Sequence, residues 1–131
     1  MTLFDSDFLI AVLRGEGAAA QTLRTLEAEH ESMGTTVINA YELLLGALLH
    51  RNADEKRREV ERLLHSLALH SLTPPASSLA AEISAQLTRA GTIIDFQDIA
   101  IAAIAIANDE TLCTRNLAHF SRIKGLSVKK W

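Results

Sequence analysis

Along this chain, short apolar or β-branched runs alternate with longer stretches in which apolar residues recur every three or four positions. Thr2 to Phe4 is the first short run. Past Asp5, Phe8, Leu9, Val12 and Leu13 fall at helical spacing, which predicts a strand followed by a helix. Gly15 and Gly17 punctuate the chain before a second helix, Ala18 to Glu31, with Ala19, Leu23 and Leu26 facing inward and Gly34 closing it. The β-branched run Thr35 to Ile38 predicts the second strand, with Asn39 capping an apolar helix from Ala40 to Leu49.

A charged run from Asn52 to Arg62 continues as a helix towards Leu63, Leu64 and Leu67 and reads as a solvated face. Leu67 to Leu72 predicts a third strand, and Pro74–Pro75 opens a helix that ends near Gly91. The nearly unbroken apolar stretch from Asp98 to Ala107 predicts a buried helix. After it come a strand at Thr111 to Thr114, a helical turn at Asn116 to Phe120 and a last strand at Leu126 to Val128.

Strands alternating with helices predict an α/β sandwich whose mainly parallel central sheet is flanked by helices. With 131 residues, 48% of them hydrophobic, the chain suits a single domain spanning residues 1–131. A formal charge of -3 argues against coating nucleic acid through bulk electrostatics, so any nucleic-acid chemistry has to be local. Cys113 stands alone, which excludes an internal disulfide or a thiolate metal cage and fits a reducing cytoplasm. No apolar stretch approaches the ~20 residues of a bilayer span, and the expectation is a soluble, cytoplasmic protein without a membrane partner.

Ligands of parallel sheets gather beyond the carboxyl ends of the strands. Asp5 follows the first strand, Glu42 lies one turn into the helix after the second, Asp98 opens the buried helix, and Asn116 follows the strand ending at Thr114. Each has a structural alternative. Asp5 or Asp7 suits a helix N-cap, Glu42 a first helical turn where the dipole favours an acid, and Asp98 a cap in competition with Asp95. Asn116 in turn suits the cap of the turn before His119.

His30, His50, His65, His70 and His119 lack a paired ligand spacing, so a zinc site is not expected, and surface or helix-end roles suffice for them. His119 and Arg115, however, lie beside the proposed acidic edge, and Arg115 can meet a phosphate bidentately. Arg122, Lys124, Lys129 and Lys130 read either as a local RNA track or as a solvated tail.

Taken in order, "LFDSDFLI", "TTVINAYELLLGAL", "IIDFQDIAIAAIA" and "LCTRNLAHFSRIKGLSVKKW" resemble the PIN-domain family, specifically its VapC-like toxin ribonucleases, over nearly the whole chain. The resemblance implies a PIN-like three-layer sandwich and a metal-dependent endoribonuclease that is neutralised by a cognate antitoxin and forms a homodimer. It places the family's functional positions on Asp5, Glu42, Asp98 and Asn116, with Asp5, Glu42 and Asp98 holding Mg²⁺ or Mn²⁺. Asn116 stands in place of a fourth carboxylate, which weakens the attraction for a second cation. Ser6 and Thr114 carry hydroxyls suited to orienting a carboxylate, and Asp7 and Asp95 are outer-shell groups or surface acids. Leu43 to Leu49 and Leu63 to Leu69 are candidate docking faces or core.

The sequence is open to two other readings. The Asp5-x-Asp7 pair looks like the nucleophile and acid of haloacid-dehalogenase-type phosphatases. That pattern continues with Gly-Thr or Gly-Val, whereas Phe8 and Leu9 follow here and Lys56 lies in the charged helix. A PIN-like binding module without catalysis is the other, and the three carboxylates argue against it.

Overall fold

The computed structural model describes residues 1–131. Five parallel strands form one sheet: β1 (Thr2–Phe4), β2 (Met33–Thr36), β3 (Ala68–His70), β4 (Thr111–Cys113) and β5 (Ser127–Lys129), in the order β3-β2-β1-β4-β5. Seven helices surround it: α1 (Ser6–Leu13), α2 (Gly17–Ala28), α3 (Val37–Leu48), α4 (Ala53–His65), α5 (Pro74–Arg89), α6 (Phe96–Ala107) and the short α7 (Leu117–Phe120). The sheet is wholly parallel, and the three-layer α/β architecture matches the expectation.

The period-two alternation of the central strands divides the core. Leu3 and Leu112 point to one face and pack with α5 and α6 residues such as Ile83, Leu87, Ile101 and Ala102, and with Phe120. Phe4 and Cys113 point to the other, against Phe8, Leu9, Leu26, Leu43 and Val60 of α1 to α4. Every residue from Ile99 to Ala105 is buried, and this explains why α6 is apolar all round.

Several predicted boundaries shift, each for a local reason. The second strand is Met33–Thr36 rather than Thr35 to Ile38, because the Thr36 hydroxyl accepts from the backbone N–H groups of Ile38 and Asn39 and starts the helix early. Asn39 is therefore inside α3 and is not its cap. Asp98 does not open its helix either. Asp95 occupies the N-cap position without a side-chain cap bond, and Asp98 is the third residue of α6. The third strand shortens to Ala68–His70, and Gly17 begins α2 instead of preceding it. Gly34 of β2 is required by a close approach: a Cβ there would meet the Ala68 carbonyl oxygen at 2.9 Å and the His70 ring at 3.2 Å. No helix is long and apolar enough to cross a membrane.

Candidate functional site

In the strand order β3-β2-β1-β4-β5, the chain moves outward from β1 to β2 and β3 and then crosses to β4 on the other side of β1. The connections leaving β1 and β4 diverge there, opening the crevice in which ligands of such sheets bind. Asp5 directly follows β1 and Thr114 directly follows β4, and they meet: Thr114 Oγ1 donates to Asp5 Oδ2 at 2.7 Å.

Asp5 sits at the N-cap position of α1 and is only 7% exposed. Its Oδ1 accepts from the Ser6 backbone N–H at 2.8 Å and from Asn39 Nδ2 at 3.1 Å. Asn39, fully buried, also donates to Ser6 Oγ at 2.9 Å, and its own Oδ1 accepts from the Thr36 hydroxyl at 2.7 Å. Capping of α3 by Thr36 thus fixes the orientation of Asn39, and Asn39 fixes that of Asp5. The Thr36-x-x-Asn39 spacing, that of a capping residue and a polar third helical residue, was the signal available in the sequence.

Asp7 holds the far end of the chain. Its Oδ2 accepts from the Arg115 backbone N–H at 2.8 Å and lies 3.2 Å from Thr114 Oγ1, while Oδ1 accepts from Trp131 Nε1 at 3.2 Å. The guanidinium carbon of Arg115 lies over the Trp131 ring, 3.5 Å from its centroid, and Trp131 meets Phe8 edge-on. These partners lie more than a hundred residues from Asp7 along the chain, so the sequence pattern gave no sign of them.

Glu42, the sixth residue of α3, lies beyond the first turn, so the helix dipole does not account for it. Asp98 Oδ2 lies 2.9 Å from His119 Nδ1, and Asn116 Nδ2 lies 3.1 Å from the same nitrogen. As an N–H that nitrogen donates to Asp98, and with a free lone pair it accepts from Asn116. In either form His119 stands between Asn116 and Asp98, beside the acidic group where the sequence put it. Asp95 is exposed, as a surface acid would be.

Electrostatics tie the acids together. Burial pushes the Asp5 carboxyl above its ordinary value; the Thr114 and Ser6 bonds oppose this, and the negative charges of Asp7 and Asp98 reinforce it. Glu42 is pushed up first by partial burial of its carboxyl, then by Asp5 and Asp98. The neighbouring Cys113 thiol is raised to about 11 by burial, which leaves it inert at neutral pH. No three acidic, histidine or cysteine groups converge closely enough to chelate an ion on their own. The all-oxygen set of Asp5, Glu42 and Asp98 nevertheless suits a hard divalent cation, which keeps much of its water shell and binds through one or two carboxylates.

The profile of the PIN domain matches residues 2–126. The chain belongs to the PIN-domain family. It is 35% identical over 126 residues to ribonuclease VapC10 of Mycobacterium tuberculosis, covering 96% of this chain and 90% of that protein. To ribonuclease VapC2 of Rickettsia felis it is 26% identical over 106 residues, or 81% of this chain and 79% of the relative. Among solved structures, VapBC2 of Rickettsia felis bound to a promoter DNA fragment superposes with a TM-score of 0.92 at 22% identity, covering 99% of this chain and 98% of the other. DNA-bound VapBC of Salmonella typhimurium gives 0.90 at 23%, covering 99% and 97%. The likeness is one of fold, and the acidic edge of this chain lies at the carboxyl ends of its parallel sheet.

Proposed function

We propose that this PIN domain, acting as one unit over residues 1–131, is a divalent-metal-dependent endoribonuclease and the toxin of a toxin–antitoxin pair. The observation that carries this reading is Asp5: a nearly buried carboxylate at the switch point, oriented by three donors and facing only other carboxylates, in a chain similar to VapC ribonucleases. A fold that keeps negative charge buried without a partner pays for it in stability, and functional sites are where that is tolerated.

Asp5, Glu42 and Asp98 would hold Mg²⁺ or Mn²⁺, and the bound ion supplies polarisation of the scissile phosphate and acidification of a water. Ser6, Thr114 and Asn39 hold Asp5 in place through hydrogen bonds to both of its oxygens. His119 positions Asp98, Asn116 lies against the same ring nitrogen, and Arg115, next to Thr114, stands beside them to meet substrate phosphate.

Antitoxin and a second copy of the chain are the protein partners. Of the leucine-rich faces, Leu43 is core, whereas Leu45, Leu48 and Leu49 of α3 are exposed beside Tyr41 and Ile10; Leu63, Leu64 and Leu67 are half-buried. We assign the α3 face to docking. Sedimentation at micromolar concentration should show a dimer, and a strictly monomeric species counts against one. The enzyme is tested by incubating purified protein with total RNA, with Mg²⁺ or Mn²⁺ and with chelator, and mapping the cut ends. Metal-dependent cleavage that disappears in Asp98→Asn is expected; cutting that persists in chelator and in the variant overturns the reading.

A further inference from the structure

Beside the acidic edge, α1 and the last residues of the chain enclose an open cleft of about 340 Å³, walled by Asp7, Ile10, Arg14, Glu16, Arg115 and Trp131. It is continuous with the acidic centre, because Asp7 and Asp5 both contact the Thr114 hydroxyl and Arg115 follows Thr114 directly. Two guanidinium groups face it on a chain whose formal charge is -3. Neither has a close counter-ion. Arg14 forms no ion pair, and the carboxylate nearest Arg115, that of Glu16, is 4.0 Å away with both side chains open to water. Asp7 forms no ion pair with the Arg115 side chain; its oxygens accept from the Arg115 backbone N–H, the Trp131 indole and the Thr114 hydroxyl.

We propose that this cleft is a phosphate subsite in which Arg14 and Arg115 grip the backbone of a single-stranded RNA flanking the bond to be cut. The proposal rests on the ribonuclease reading and extends it to how the strand is seated. Arg115 Nε is spent on the Trp131 carbonyl oxygen at 3.5 Å, and the ring lies beneath the guanidinium carbon, so the two terminal N–H₂ groups remain for bidentate contact with a phosphate at little entropic cost. Asp7 has a definite part in this arrangement. It is a positioning residue, holding the backbone of Arg115 and the ring beneath its side chain.

The test uses the full chain carrying Asp98→Asn, in chelator, so that binding is read without cleavage. A short fluorescein-labelled single-stranded RNA of mixed sequence is titrated by anisotropy at several salt concentrations, and melting curves establish that each variant is folded. Arg14→Ala and Arg115→Ala should each weaken binding about tenfold. Each should also lower the slope of log affinity against log salt by about 0.7, the value for one lost single-strand phosphate contact. Arg115→Lys, which keeps the charge but loses the planar fork, should recover only part of the affinity. Arg58→Ala, on the solvated face of α4 and outside the cleft, should change nothing. In the active background the arginine variants should raise KM with kcat nearly unchanged. If they bind with wild-type affinity and salt slope while the wild type cleaves RNA, the subsite is wrong and the nuclease reading stands. If the parent neither binds nor cleaves RNA, both readings fall.

Discussion

Asp5 and Glu110 are equally buried carboxylates, each 7% exposed, at different places on the sheet, and the fold treats them differently. Glu110 lies just before β4, at the amino ends of the strands, where His70 Nε2 approaches Oε1 to 3.2 Å and the Met1 ammonium lends a second positive charge. Burial still pushes it up, and its Oε2 has no partner, but opposite charges offset the cost. Asp5 is served by hydroxyl and amide donors, and the only charges that shift it are negative ones from Asp7 and Asp98. Where the chain needs only to fold, it pairs a buried charge. At the switch point it leaves the charge unpaired, and what that surplus of negative charge can attract is a cation.

The largest effect that separates the two regions is on catalysis. Asp98→Asn should lower RNA cleavage by about a hundredfold or more, while the melting temperature in chelator stays the same or rises because one repelling charge is gone. Glu110→Gln should leave cleavage intact; equal losses in the two variants would erase the distinction. Asn39→Ala should both lower cleavage, by about ten- to a hundredfold, and destabilise the fold by about 1–3 kcal/mol, since Asp5 and the Thr36 hydroxyl each lose a buried partner.

A smaller effect is expected on the Glu110 side. His70→Ala strips the buried carboxylate of its nearest hydrogen-bonding partner and should cost about 1–3 kcal/mol in urea unfolding without changing cleavage. The smallest effect is in pH dependence. The folded pKa values of Asp5 and Glu42 lie above their ordinary 3.8 and 4.5, so the stability these groups contribute is fully present below those values and is lost as pH rises through the raised folded ones. Chelated wild type should therefore gain stability from these groups on mild acidification. Asp5→Asn should show a flatter profile, and identical profiles would mean that Asp5 is not perturbed.

Much of this was legible in the chain. Strand–helix alternation gave the parallel sandwich, and the order of Asp5, Glu42, Asp98 and Asn116 gave the acidic edge as a candidate. What escaped depends on contacts distant in sequence or on a misplaced boundary. The β-branched Val37 and Ile38 carry the strand pattern past Thr36, so Asn39 looked like a cap when its amide is in fact spent on Asp5 and Ser6. Asp7 looked like an uncertain neighbour of Asp5, because its partners at Arg115 and Trp131 arrive only after the sheet has closed. His119 lacked a ligand spacing in sequence and gains its partner Asp98 only because α7 is set against α6.

The central claim, that the unpaired charge at Asp5, Glu42 and Asp98 is there for a divalent cation, is tested most directly by melting temperature as a function of Mg²⁺ concentration. Wild type and Glu110→Gln should show the same saturable rise, since a ligand that binds only the folded state stabilises it, and Asp98→Asn should rise far less. No saturable rise in the wild type, or an equal rise in Asp98→Asn, would contradict it.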